Sequence, residues 1–173
     1  MLNPITANRR HYEDLAVGEV IPLAPTTVTR EMIFAFATDV DPLPFHLDDA
    51  AANASLLGGL ASSGWQTLGL TLGRLSAGFL NSIASEGGLG FHHLKWKRPV
   101  MAEDTISGTG TVSGLRRSRS RPQSAIVTID LDVRNQRGES VMTMQLANLV
   151  AVRDPSASMP ETDALPADIG ARA

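Results

Sequence analysis

The segment from Trp65 to Phe79, "WQTLGLTLGRLSAGF", constrains the fold more than any other part of the chain. Trp65, Leu68, Leu72, Leu75 and Phe79 recur at spacings of 3, 4, 3 and 4, the period of one helical face. The other faces hold Gly69, Leu70, Gly73, Ala77 and Gly78, and Arg74 is the only charge. A helix that is apolar nearly all round is expected to be enclosed by other structure. What comes after it reads as strand: "FHHLKWKRPV", "EDTISGTGTVSGL", "SAIVTIDLDVRNQ" and "ESVMTMQLANLVAVR". In the third of these, Ala125, Val127, Ile129, Leu131 and Val133 alternate with Thr128, Asp130, Asp132 and Arg134. That pattern predicts a half-buried strand with one solvent face. "NQRG" is a turn signal, so the fourth segment returns as the partner of the third. One enclosed helix followed by long antiparallel strands predicts an α+β fold, a sheet wrapped round a helix.

The 173 residues fit one domain with a full core. The net charge of -3 argues against a polyanion binder. The absence of cysteine excludes disulfides, thiolate metal sites and a cysteine nucleophile. "MLNPITANRRHYEDL" lacks a signal-peptide apolar core, and no apolar run reaches bilayer length. These absences are read as a cytoplasmic protein. Residues 1–153 are taken as the domain and 154–173, rich in Pro, Ala, Asp and Ser, as a loosely held tail.

Ahead of the long helix, Val17 to Val28 reads as an entry turn and a short strand. Thr29 is placed to cap a helix with Glu31 in its first turn, and Met32, Ile33, Phe36 and Ala37 form one face. Pro42 and Pro44 stop that helix, and a second short one starts at Asp48. "SEGGLG" (Ser85 to Gly90) is read as the end of the long helix.

Between the first two helices lies "DVDPLPFHLDD". Residues five apart sit about 140° apart on a helix, at ~100° per residue. On a strand they fall on opposite faces. Regular structure therefore separates Asp41 from His46, whereas a stiff turn built on Pro42 and Pro44 can aim both at one pocket. An acid beside an imidazole can activate a water or pass a proton. The plainer reading is that "DPLP" only ends a helix, with His46 on the surface and Asp48 as a cap.

"DPLPFHLDDAAA", with "LLGGLASSGWQTL" after it, resembles the MaoC-like hydratases and dehydratases of the hotdog fold. The family pattern Asp-x-Asn-Pro-x-His-x-Asp is met by Asp41, Pro44, His46 and Asp48. "ASSGWQT" resembles the family's Ala-Ser-Gly-Trp-His-Thr segment. "LKWKRPVMAEDTI" resembles Trp-x-Arg-Pro-Val-x-x-Gly-Asp-Thr, and "RRSRSRPQSAIVTIDLDVRNQRGESVMT" its last hairpin. The resemblance covers roughly Tyr12 to Arg153, with the motifs in order.

It implies a single hotdog domain, an antiparallel sheet curled round a central helix, paired as a dimer or built from dimers. It implies reversible hydration of a trans-2-enoyl thioester of coenzyme A, an activity of fatty acid metabolism. Asp41 and His46 take the roles of water activation and proton transfer. Gly64 takes that of the backbone N–H donor to the developing oxyanion, as suits a helix N-terminus. Leu43, Ser62, Ser63, Trp65 and Gln66 are carried over as substrate-binding positions. No metal or redox cofactor is implied, the thioester being substrate. Neither nucleic acid nor membrane is expected as a partner. The chain departs from the pattern at Leu43, where many members have a polar Asn or Gln, and at Gln66, where the close branch has histidine. The alternatives are a hotdog thioesterase and, because leucine cannot orient a polar site, a non-catalytic acyl-thioester-binding subunit.

Three further features are weighed. His92 and His93 are expected on opposite faces of a strand, which keeps them from joining His46 at one metal. "RRSRSR" (Arg116 to Arg121) reads as a solvated hairpin tip that could reach coenzyme A phosphates. "EGGLG" lacks the lysine and context of a phosphate loop.

Overall fold

The computed structural model describes residues 8–156 and Thr162. The elements run in the order β1 (Val20–Thr27), α1 (Arg30–Val40), α2 (Pro44–Leu47), α3 (Asp49–Ala54), α4 (Gly64–Leu75, extended by a π-helical turn Ser76–Leu80), β2 (Ser85–Trp96), β3 (Thr105–Arg117), β4 (Ser124–Arg134) and β5 (Ser140–Ala151). A short 3-10 turn, Tyr12–Asp14, precedes them. The strands form one antiparallel sheet ordered β1-β3-β4-β5-β2. Leu68, Leu75 and Phe79 of the long helix share one core with Ile21, Val112 and Ile129 from the sheet. This is the expected hotdog arrangement of a sheet curled on a helix.

Local signals set most boundaries. The Thr29 hydroxyl accepts from Met32 N and starts α1. Asp48 accepts from Ala51 N and starts α3. The β4–β5 hairpin turns at Asn135 to Gly138, where Gly138 N–H donates to Asn135 O.

Four expectations are corrected. Pro44 does not only stop α1: it stands at the first position of the single turn α2, where its missing N–H costs nothing. "SEGGLG" is the start of β2, not the end of the helix. Gly87 and Gly90 have φ of 138° and 150°, and bulges at these points keep the strand paired with β5. His92 and His93 do not simply alternate. A bulge between His92 and Lys95 turns His93 to φ 50°, and the two rings lie 5.4 Å apart. The solvent face expected along β4 exists only in its second half. At the other end Ile126 is buried against Ala147 and Leu149 in a small outer cluster.

Among the described residues the long helix is enclosed on one side only. Gln66, Thr67, Thr71 and Leu75 are buried, whereas Trp65, Gly69, Gly73 and Ala77 form an exposed stripe. The expected tail lies mostly outside the described residues; Thr162 bridges back to Leu115. No described helix is long and apolar enough to cross a membrane.

Candidate active site

α1 ends at Asp41, whose N–H still bonds to Ala37 O. Pro42 forbids continuation, and the chain folds tightly, with Leu43 N–H donating to Asp41 O at 2.7 Å. α2 then starts at Pro44 and carries His46. The turn and the new helical axis bring together two side chains that a single helix or strand would separate. His46 Nε2 lies 3.6 Å from Asp41 Oδ2. His46 is 5% exposed, so the reading that places it on the surface is excluded, while Asp48 caps α3 as that reading required.

Hydrogen bonds fix both groups. His46 Nδ1 lies 2.7 Å from Ala61 O. A carbonyl only accepts, so Nδ1 carries the proton and Nε2 of the neutral ring presents its lone pair to Asp41. Ser63 Oγ–H donates to Asp41 Oδ2 at 2.6 Å and accepts from Trp65 N–H at 3.2 Å. One buried hydroxyl thus caps α4 and orients the carboxylate. Phe45 stands edge-on to the His46 ring, with centroids 4.7 Å apart.

With the ring neutral, the Asp41 carboxylate oxygen and the His46 Nε2 lone pair face each other beyond hydrogen-bond distance. Water, with two O–H donors, can satisfy both at once and keep a lone pair free. Beside this pair the first turn of α4 presents its N-terminus. The Gly64 N–H makes no hydrogen bond among the described residues. Gly64 itself is dictated by packing. A Cβ there would lie 2.7 Å from Cε2 of Trp96, whose Nε1–H donates to Gly64 O at 2.9 Å.

These groups line a cleft of about 410 Å³. Asp41, His46, Gly64, Ser62 and Trp65 all reach it. Ser63 is not among the lining residues and acts from behind, through Asp41. Gln66 is likewise behind the wall, accepting from Ser62 Oγ–H at 2.8 Å and donating to Met32 O of α1 at 2.8 Å. Leu43 is 44% exposed and does not line the cleft. Sequence reasoning missed Leu57, Thr67, Trp96, Lys97 and Arg98, which do. The quoted "KWKRPV" held the signal. Its place became visible only through pairing, with Ser62 N–H bonded to Val100 O and Ala61 bridged to Met101. "RRSRSR" lies at the opposite end of β3 from the cleft, so it does not serve its own chain's site. The 13 residues of β3 span about 40 Å at ~3.3 Å per residue.

The family model described as MaoC like domain matches residues 15–135. The MaoC-like dehydratase from Rhodospirillum rubrum is 40% identical, with 83% of this chain and 98% of that one covered and a TM-score of 0.74. The (R)-hydratase from A. caviae involved in PHA biosynthesis is 25% identical, with coverage of 81% and 99% and a TM-score of 0.67. Mesaconyl-CoA hydratase of Haloarcula marismortui is 32% identical over 82 residues, which are 46% of this chain and 23% of that protein.

Proposed function

The chain belongs to the MaoC-like dehydratase family, and from that premise we propose that it hydrates a trans-2-enoyl thioester of coenzyme A, or dehydrates the corresponding 3-hydroxyacyl thioester. The carrying observation is the facing pair of acceptors, His46 Nε2 and Asp41 Oδ2, 3.6 Å apart at the wall of a cleft. Water held between them adds through its free lone pair to C3. One of the pair takes the proton that water loses. The C2–C3 π electrons move toward the thioester carbonyl, and the enolate oxygen accepts from Gly64 N–H at the positive end of α4. C2 then receives a proton, and the product carries one added H and one added OH. The reverse sequence expels water. No metal or redox cofactor takes part in this reading.

The departure at Leu43 weighs less once Asp41 is seen to be oriented by Ser63. Gln66 ties Ser62 to α1, a placement consistent with holding the α4 N-terminus against the helix that ends in Asp41. A second copy of the chain belongs to the same reading. β2 is an edge strand, and the exposed stripe of α4 lacks a cover among the described residues.

The test is an assay with crotonyl-CoA, following loss of enoyl-thioester absorbance and identifying the product, alongside Asp41→Asn and His46→Ala. A 3-hydroxyacyl product abolished in both variants is expected. Release of free coenzyme A instead supports the thioesterase. Absence of turnover across short, long and branched enoyl thioesters supports the acyl-thioester-binding subunit.

A further inference from the structure

β1 accompanies β3 from Thr105 to Thr111, and Gly18 and Glu19 carry the contact on to Val112. Ser113 to Arg117 then continue past the start of β1. A strand edge of this kind offers its N–H and C=O groups to an extended segment. One residue from near the end of the chain is seated there. Leu115 N–H donates to Thr162 O and Thr162 N–H donates to Leu115 O, both at 2.8 Å. The two residues thus form an antiparallel pair of the hydrogen-bonded kind.

That single pair sets a register. In antiparallel pairing the residue before one member faces the residue after the other, so Glu161 falls opposite Arg116. The position is a non-hydrogen-bonded one, where facing side chains come closest. Arg116 is 8% exposed. It pairs with Ile126, and Ile126 with Leu149, so its side chain shares the outer face with the apolar cluster those two belong to. An arginine is rarely buried this far unless an anion is paired with it.

The surrounding charges complement each other in the same sense. Residues 154–173 carry Asp154, Glu161, Asp163 and Asp168 against Arg172, whereas "RRSRSR" carries Arg116, Arg117, Arg119 and Arg121. The chain is also led to this edge. Arg153 N–H and Asp154 N–H donate to Glu13, and Arg117 Nη2–H donates to Asp154 O at 3.0 Å. The eight residues from Asp154 to Thr162 reach up to ~27 Å, and Leu115 lies only about 7 Å along β3 from Arg117.

We propose that the edge of β3 from Ser113 to Arg117 is a docking site for an acidic extended segment. Its occupant is the chain's own C-terminal segment around Thr162, with Glu161 as the counter-charge of Arg116. The docked segment closes this edge against a second copy and leaves β2 as the open edge of the sheet. The proposal is independent of the enoyl-thioester reading and gives the basic run an internal partner.

Backbone amide exchange of the full chain, followed by NMR, tests it. Leu115 N–H faces the docked segment, whereas Arg116 N–H faces β4 and reports on the fold itself. In the parent, Leu115 N–H is expected to exchange on the order of a hundredfold more slowly than in an unfolded chain, at every protein concentration. Glu161→Gln is expected to speed it about tenfold, the loss of a hydrogen bond to a charged group, and Arg116 N–H is expected to hold. Thr162→Pro, which removes the donor to Leu115 O, is expected to do the same and to increase self-association in sedimentation. In an Arg116→Met background, Glu161→Gln is expected to add nothing. An unprotected Leu115 N–H in the parent, or one indifferent to both Glu161→Gln and Thr162→Pro, overturns the docking. Protection that grows with protein concentration makes the occupant a second copy and overturns the assignment to the chain's own segment. A full tenfold effect of Glu161→Gln in the Arg116→Met background overturns the pair, and unchanged sedimentation of Thr162→Pro overturns the guarding of the edge.

Discussion

Replacing Ser63 by alanine removes two interactions with one atom. Ser63 is fully buried, and its hydroxyl caps α4 through Trp65 N–H while donating to Asp41 Oδ2 at 2.6 Å. Loss of a serine cap costs about 1 kcal/mol. A hydrogen bond to a charged group contributes about 1.5–3 kcal/mol. The lower end applies here, because the Asp41 side chain is 20% exposed and solvent can replace part of what it loses. The sum is about 2–3 kcal/mol, which lowers the melting temperature of a chain this size by about 4 to 12 °C. The effect on rate has a separate origin. A carboxylate free to rotate holds its water out of line, and a misplacement of about 1 Å costs on the order of a hundredfold in turnover. Ser62→Ala is the control. Ser62 is also buried and also loses a hydrogen bond, but that bond goes to Gln66 rather than to Asp41. Thermal unfolding and enoyl-thioester kinetics on both variants separate the two effects. Both variants should melt earlier, and Ser63→Ala should lose much more kcat. Equal kcat losses, or an unchanged melting temperature for Ser63→Ala, would refute the reasoning.

Gly64→Ala should leave stability within about 1 kcal/mol, since the gain in helix propensity offsets the lost Trp96–Gly64 hydrogen bond. The new methyl must displace the Trp96 indole, so a shifted tryptophan emission and a raised KM are expected. Leu75→Ala, at a fully buried position facing the sheet, should cost about 2–5 kcal/mol in denaturant unfolding while the site residues stay in place. Arg10 donates from both terminal nitrogens to Glu19 at 2.7 Å, and this bond holds the Glu19 carboxyl below its ordinary 4.5 despite partial burial that pushes it up. A depressed carboxyl stabilises the fold above its unfolded value, and the contribution is lost as the pH falls through the lowered folded value. The stability gap between the parent and Arg10→Met should therefore be largest at neutral pH and shrink as the pH falls below the ordinary carboxylate range. Urea unfolding across a pH series reads it, and a gap that persists unchanged at pH 3 would contradict the assignment.

Where one residue acts on its own neighbours, the sequence was informative. Thr29 and Asp48 could be read as caps, and the 3, 4, 3, 4 spacing placed the long helix, because those effects reach only a few residues. The single turn of α2 is too short to show a period, so Pro44 looked like a stop where it is a start. The glycine run at Ser85 to Gly90 has no strand propensity of its own. Pairing with β5 makes it a strand, and that is a tertiary effect. Ile126 was assigned to no face because nothing local distinguishes solvent from the outer cluster it joins with Leu149. The site divided in the same way. Asp41, His46 and Gly64 fall within motifs that could be recognised. Lys97 and Arg98 follow some 30 to 60 residues later, and the strand-end contacts through Val100 and Met101 are what carry them to the same cleft. By the same logic the basic run that looked suited to phosphate was moved to the far end of the sheet by the length of β3.

The central claim is that water held between Asp41 and His46 adds to C3 of an enoyl thioester. Turnover of crotonyl-CoA in ¹⁸O-labelled water, with the product analysed by mass spectrometry, tests it most directly. The account predicts one ¹⁸O atom in the C3 hydroxyl of an intact thioester, and none in Asp41→Asn or His46→Ala. Label found in a free carboxylate, or the same C3 label at undiminished rate in either variant, would contradict it.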